Sequence, residues 1–328
     1  MKVTARSTPN IALIKYWGNR NDELRLPAGD SLSMNLNSPE VEITIEKSDD
    51  FAVTSFDRNG KRIELNETGA ARFRKHHALT YQYISTLISE IEFPLFNITI
   101  DSQIPRSIGV ASSSAIFSAL AECYSVLVGT YCNTPLQREQ ISIIARLGSG
   151  SAARGVFGGY VALRTNGEAD QIAPETHWEL HDIIVIPTQE EKKVGSTEGH
   201  ALAHTSPYFT ERISKIPQRM QECTDAILTK DFEKLQRVAE EDCLDMHRVM
   251  ETSTPPLHYL SGETHRIIKE ITNLRKREHC EVLYTMDAGP TVHLLCTDDA
   301  QTKVLDFANA QKGCRVIEAK VGKGSHLV

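Results

Sequence analysis

The segment Tyr284-Thr-Met-Asp-Ala-Gly-Pro290 sets one carboxylate, Asp287, between an apolar strand-like run and a Gly-Pro turn. Two other segments carry groups that complement it. Ile108-Gly-Val-Ala-Ser-Ser-Ser114 is a Gly/Ser loop opening a helix, and Arg146-Leu-Gly-Ser-Gly-Ser-Ala-Ala-Arg154 holds serines and glycines between two arginines. A carboxylate to orient a hydroxyl, a helix start to cradle phosphate and an arginine to hold an anion are the parts phosphoryl transfer to a small anionic alcohol requires.

Each motif alone also has a plainer explanation. Aspartate before glycine commonly caps its own turn. Ser149 or Ser151 can serve as an N-cap, with Arg154 a surface charge. Serines at a helix start can simply pack against a sheet. On the functional reading, Gly109 lets the backbone approach a phosphate, and Ser112, Ser113 and Ser114 add hydroxyls, with Ser114 offered as a magnesium ligand. The loop lacks the Gly-Lys-Ser/Thr ending of a Walker motif. Arg154 can grip a carboxylate bidentately, as a lysine cannot. Asn10-Ile-Ala-Leu-Ile-Lys-Tyr-Trp-Gly18 is an apolar strand whose tip, Lys15, Tyr16 and Trp17, suits a pocket rim, although Trp17 suits a core equally well. Lys192-Lys193-Val-Gly-Ser196 is a basic turn that by itself reads as solvated surface.

The elements that must position these groups follow from periodicity. Val41–Glu46 and Phe96–Ile100 alternate as half-buried strands, and Ile63–Leu65 looks similar. Helical spacing runs from Ala70 to Ile91 and onward from Ala111. A helix over Leu136–Arg146 is expected to be capped from Thr134 with Pro135 in its first position. Phe157–Leu163 returns as a strand, and turn residues between Gly167 and Glu179 mark a boundary. Beyond it, Asp182–Pro187 is a buried strand, Thr210–Met250 reads as helices broken near Lys230-Asp231, and His265–Arg277 is a helix. The strand into Asp287 then pairs with Thr291–Cys296. This order implies an α+β second domain of split βαβ type.

Composition narrows the field. The 328 residues suit two domains, and 40% hydrophobic with 24% charged residues is a soluble globular balance. A net charge of -7 disfavours nucleic acid as a partner. No uncharged apolar run approaches the roughly 18 residues of a membrane span, so no membrane partner is expected. Seven scattered cysteines without a Cys-x-x-Cys pair point to a reducing, cytoplasmic setting and away from zinc or a disulfide framework.

Six blocks, Asn10–Gly18, Leu26-Pro27 with Ser31-Leu-Ser33, Gly109–Ser113, Gly148–Arg154, Phe157-Gly-Gly159 and Met286–Pro290, together resemble the diphosphomevalonate decarboxylase family of the GHMP kinase superfamily. They occur in family order along nearly the whole chain. The resemblance implies a ribosomal-S5-like N-terminal domain over residues 1–178, with the phosphate loop, and a ferredoxin-like C-terminal domain over 179–328, with the catalytic aspartate. It implies ATP and Mg2+ as cofactors and a phosphorylated mevalonate as substrate. ATP would phosphorylate the 3-hydroxyl, and loss of phosphate and CO2 would leave isopentenyl diphosphate. Asp287, Arg154 and Ser149 would be catalytic. Tyr16, Asn19, Ser149, Ser151, Arg154, Ser196 and Thr197 would contact substrate, and Gly109 with Ser112–Ser114 would hold ATP. Arg72, Arg74, Lys75 and His76 are further candidates for the 5-phosphate end. A homodimer is the family's usual state.

Two departures keep alternatives open. Asn19 stands where the family usually has lysine, and Thr197 where bacterial members carry arginine. Fewer charges at the 5-end would suit a phosphomevalonate decarboxylase making isopentenyl phosphate. A mevalonate 3-kinase that does not decarboxylate, and an inactive metabolite-binding relative, stand further back because Asp287 and Arg154 are both present.

Overall fold

Val41–Lys47 turns Val41, Ile43 and Ile45 inward and Glu42 and Thr44 outward, and this alternation gives it a central place in a sheet. The computed structural model describes residues 1–57, 59–88, 94–104, 112–187 and 195–328. Among them the first sheet runs in the order His326–Leu327, Lys2–Ser7, Val41–Lys47, Phe96–Ser102, Ala52–Phe56, Arg62–Ile63. Its pairing of Ala52–Phe56 with Phe96–Ser102 is parallel and is spanned by a crossover containing the helix Glu67–Ser85. The helix Ser112–Tyr131 packs on this sheet. It is long and apolar enough to cross a membrane, but most of it is buried within the protein as a core helix.

A second sheet, in the order Ala169–Ala173, Tyr160–Leu163, Ser31–Asn35, Asn10–Ile14, carries the strand that ends at Lys15. A third, Val282–Thr285, Val292–Cys296, His181–Ile186, Arg315–Lys320, carries the strand that leads into Asp287. The helices Phe209–Thr229 and Phe232–Glu251 form an antiparallel pair broken by Lys230 in the left-handed conformation. Both contribute to one apolar core shared with the N-terminal strands, with Ile216, Met220 and Leu235 alongside Ile11, Leu13 and Leu32.

The differences from the sequence reading have local causes. The helix expected at Leu136 begins at Arg138, because the Gln140 side chain accepts the Gln137 N–H at 2.8 Å and fixes the entry there. The strand expected from Phe157 begins at Tyr160. Gly159 has φ +69° and packs so tightly on the Ala173–Pro174 backbone that no Cβ would fit. The expected boundary region, Gly167 to Glu179, contains the strand Ala169–Ala173, so the chain changes sheets between residues 174 and 180. Arg315–Lys320, absent from the expected order, completes the third sheet's edge. The segment after Val321 does not stay with the second domain: Ser325 N–H donates to Gly155 O at 2.9 Å, and His326–Leu327 pairs with Lys2–Ser7. Residues 325–328 thus join the first sheet and not the third.

Candidate active site

Lys15 follows five buried strand residues and is itself buried, so its ammonium needs a partner within the protein. That partner is Asp287: Lys15 Nζ donates to Asp287 Oδ1 at 2.7 Å, with the lysine side chain only 1% exposed. The turn after Asp287 is closed by its own carbonyl, which accepts the Gly289 N–H at 2.7 Å, so the carboxylate is free to face the cleft. Burial alone would raise the Asp287 pKa, but Lys15, His293 and Arg154 outweigh it and hold the group below the usual carboxylate value.

The Lys15 backbone is gripped in turn from the second domain. Its N–H donates to Asp242 Oδ2 at 2.7 Å, and its carbonyl accepts from Arg212 Nη2 at 3.2 Å. Arg212 and Asp242 form a fully buried bidentate pair at 2.9 Å on the two adjacent helices.

Arg154 is fully buried and faces the same cavity. Its Nε donates to Ser33 Oγ at 2.8 Å, Nη1 to Ser31 Oγ at 2.5 Å and Nη2 to Asn10 Oδ1 at 3.4 Å. Those three bonds leave two of a guanidinium's five N–H donors to face a ligand. Burial lowers its pKa to about 10, with Asp287 and Tyr16 opposing, so it stays charged at neutral pH. The alternation that points Ser31 and Ser33 to one face of their strand is what holds the fork.

The two serine segments meet as the sequence implies: Ser113 Oγ lies 3.1 Å from Ser149 Oγ, and Ser149 Oγ 3.4 Å from Ser151 Oγ. Ser112 and Ser113 line the cavity at the start of the helix. Ser114, a further 100° around it, is turned inward, where Asn10 Nδ2 donates to its Oγ at 2.6 Å. Of the three hydroxyls, then, Ser114 is the one that does not reach the cavity, which argues against its being a magnesium ligand. Gly109 lies outside the described residues, as do Lys192 and Lys193.

Tyr16, Ser196 and Thr197 line the cavity, and any side chain at Gly150 would overlap the Tyr16 ring. Asn19 does not line it. Both ends of its amide are occupied within the protein, Oδ1 by the Tyr16 hydroxyl and Nδ2 by Asp22 Oδ1 at 2.8 Å. His200 accepts the Gly18 N–H at 3.0 Å, and burial lowers its pKa to about 3, so it is a neutral wall between Tyr16 and Trp17. Trp17 both fills a small apolar cluster and borders the cavity.

Of the four basic candidates on the helix Glu67–Ser85, only Arg72 reaches the cavity. Arg74 pairs with Glu67 at the surface, Lys75 is exposed, and His76 bonds the Ile144 carbonyl at 2.9 Å. Among the charged cavity groups two escaped the sequence reading: Lys15 as the partner of Asp287, and Arg25. A lysine directly after a strand that is apolar but for Asn10 was the available signal for the first; its partner lies 272 residues away in the chain.

The cavity's donor set suits hard-cation chemistry only through oxygen. Ser112, Ser113 and Ser149 offer hydroxyls, and Asp287 is the carboxylate among the lining residues. The nearest thing to a metal cluster among the described residues, Glu179, His181 and Asp298, lies elsewhere, and Lys320 already pairs with Glu179 at 2.8 Å.

Comparison with known proteins gives consistent matches. Residues 7–173 match the model of the diphosphomevalonate decarboxylase-like N-terminal domain, and residues 182–324 that of the mevalonate 5-diphosphate decarboxylase C-terminal domain. The chain is 35% identical to the diphosphomevalonate decarboxylase of Debaryomyces hansenii over 318 residues, 92% of this chain and 81% of that one. It is 31% identical to the human enzyme of the same name over 90% of its length and 77% of the human chain. Among solved structures, one described as MDDEF in complex with MVAPP, AMPPCP and magnesium superposes with a TM-score of 0.87 at 27% identity, covering 100% of this chain and 99% of that one. Mevalonate diphosphate decarboxylase from Staphylococcus aureus gives 0.85 at 27% identity, covering 100% and 98%.

Proposed function

The chain belongs to the diphosphomevalonate decarboxylase family, and we infer that its cleft converts 5-diphosphomevalonate to isopentenyl diphosphate with ATP and Mg2+. The observation that carries the reading is the convergence of Asp287, ionised and fixed by Lys15, with the locked fork of Arg154 beside the serine-lined start of a helix.

The chemistry divides into two stages. The Asp287 carboxylate accepts or orients the proton of the tertiary 3-hydroxyl, whose oxygen takes the γ-phosphoryl group of ATP and releases ADP. Ser112, Ser113 and Ser149 position the nucleotide's phosphates, and magnesium carried on those phosphates neutralises their charge. Phosphate then leaves C3 with its bonding electrons, while the C1–C2 bond breaks, its electrons forming the C2–C3 double bond as CO2 departs. The two free Arg154 N–H groups hold the C1 carboxylate in line for that step. Asp287, ionised again once the hydroxyl's proton has passed to water, faces the positive charge growing at C3. Positioning carries most of the rate, because the groups are fixed before substrate arrives.

Substituting Arg154→Lys is expected to lower kcat/KM by about 10²- to 10³-fold, because a point ammonium cannot both engage Ser31 and Ser33 and grip a carboxylate. Steady-state kinetics beside a melting curve check this. The function itself is tested by following ADP and CO2 together with 5-diphosphomevalonate and Mg-ATP. Equal yields are expected; ADP without CO2, or neither, would overturn the reading. Cytoplasmic location and a homodimeric state belong to the same proposal, the first supported by seven unpaired cysteines. Fractionation and light scattering test them.

A further inference from the structure

We propose that Arg25 binds the 5-phosphoryl end of the substrate together with Arg72, supplying in this chain the charge that Asn19 does not. The inference rests on the reading of the cleft given above and concerns a residue that reading does not use.

Arg25 and Arg72 both line the cavity and are both half-buried. Among the described residues neither has a carboxylate within ion-pair distance. Their protein partners are carbonyls: Arg25 Nε donates to Leu147 O at 3.3 Å, and Arg72 Nη2 to Gly148 O at 2.9 Å. Consecutive carbonyls at the C-terminal end of the helix Arg138–Gly148 therefore anchor the two guanidiniums. They are also in mutual opposition: burial, and then the charge of Arg25, lower the Arg72 pKa to about 9. Two like charges at the wall of a partly desolvated cavity, with Asp22 near Arg25 but no carboxylate in ion-pair contact with either, are satisfied by an anion that enters from outside.

The backbone supports the same conclusion. Arg25 sits at φ +52°, a left-handed conformation that a long side chain adopts only when the surroundings impose it. It lies between the short paired strands Asn19–Asn21 and Leu26–Pro27, a ribbon that carries its side chain to the cavity. The same ribbon ties Asn19 to Tyr16 and Asp22, away from the cavity. The charge thus enters from the turn that joins the two strands of the ribbon.

Which anion it meets follows from the ends of the cavity. The 3-hydroxyl belongs at Asp287, the C1 carboxylate at Arg154, and the nucleotide's phosphates at Ser112 and Ser113. Arg25 couples electrostatically to Tyr16, Asp22 and His200 rather than to Asp287. That side is left for the phosphorylated tail of the substrate.

The test uses the full-length protein and the variants Arg25→Gln and Arg25→Lys. For Arg25→Gln, KM for 5-diphosphomevalonate should rise at least ten-fold while KM for ATP stays within two-fold of native, and Arg25→Lys should recover part of the loss. A rise confined to the ATP KM would assign Arg25 to the nucleotide and overturn the proposal, as would no change in either. Separately, inorganic pyrophosphate should raise the melting temperature of the wild-type protein, and Arg25→Gln should abolish that shift. This arm needs no turnover, so it still judges Arg25 if the wild-type protein proves to lack decarboxylase activity. If Arg25→Gln does not fold, Arg25→Lys is read by the same two measurements, an unchanged substrate KM and an unchanged shift overturning the idea.

Discussion

Asp287→Asn should lower kcat by about 10³- to 10⁴-fold while the dissociation constant for ATP stays within about two-fold of native. The substitution keeps an acceptor beside Lys15 but removes both the proton acceptor and the negative charge that faces C3. The nucleotide's own contacts, at Ser112, Ser113 and Ser149, are untouched. Single-turnover measurement of ADP, with binding of a fluorescent nucleotide in parallel, separates the two effects. Full turnover would remove Asp287 from the mechanism. Because its pKa is held below the ordinary value, Asp287 is ionised throughout the neutral range, and no acid limb of the rate profile near pH 6–7 should belong to it. The sign for stability agrees: the folded-state pKa is depressed, so the Lys15–Asp287 pair contributes fully above the ordinary carboxylate range. That contribution is lost as pH falls through the lowered value.

Arg212→Met should be the most damaging substitution away from the reacting groups. It leaves Asp242, with a fully buried side chain, short of its bidentate partner, although Arg219 still reaches Asp242 at 3.1 Å. Breaking a buried pair from one side costs about 3–5 kcal/mol, equivalent for a chain of this length to a melting temperature lower by roughly 4–7 °C. It also releases the Lys15 carbonyl, so kcat should fall with stability. The double variant Arg212→Met with Asp242→Leu separates these effects. Removing both charges should restore much of the melting temperature, because an apolar pair of similar volume has no desolvation cost. Activity should stay low, since neither replacement holds the Lys15 backbone. Recovery of both together would mean that the pair acts on the site only through overall stability.

Much of the site was legible because its residues cluster in short, unusual segments. Three consecutive serines at a helix start, serines alternating with glycines before Arg154, and an aspartate after an apolar strand are local patterns, and the strands and helices that carry them follow from periodicity. What stayed hidden depends on distant partners. Lys15 reads as the polar end of a strand until Asp287 is seen against it. Arg25, between Leu24 and Leu26, reads as a solvated loop residue, because nothing nearby in sequence announces its left-handed backbone. Asn19 stands out by its residue type, yet its amide is spent on Tyr16 and Asp22. The strand His326–Leu327 spans two residues, too few for any period, and its place follows only from the sheet it joins.

That last strand has a consequence for how the chain can be rewired. Val328 N–H donates to Thr4 O at 3.0 Å, and Leu327 lies opposite Ala5, so the two ends of the chain lie side by side in one sheet. A short flexible linker could join them, and new ends opened at the exposed turn around Gly60 would preserve every element that builds the cleft. Such a circular permutant would keep Lys15, Asp287 and Arg154 in register although their order along the chain had changed. The geometry of the cleft is a property of the closed packing, and is indifferent to where the polypeptide starts.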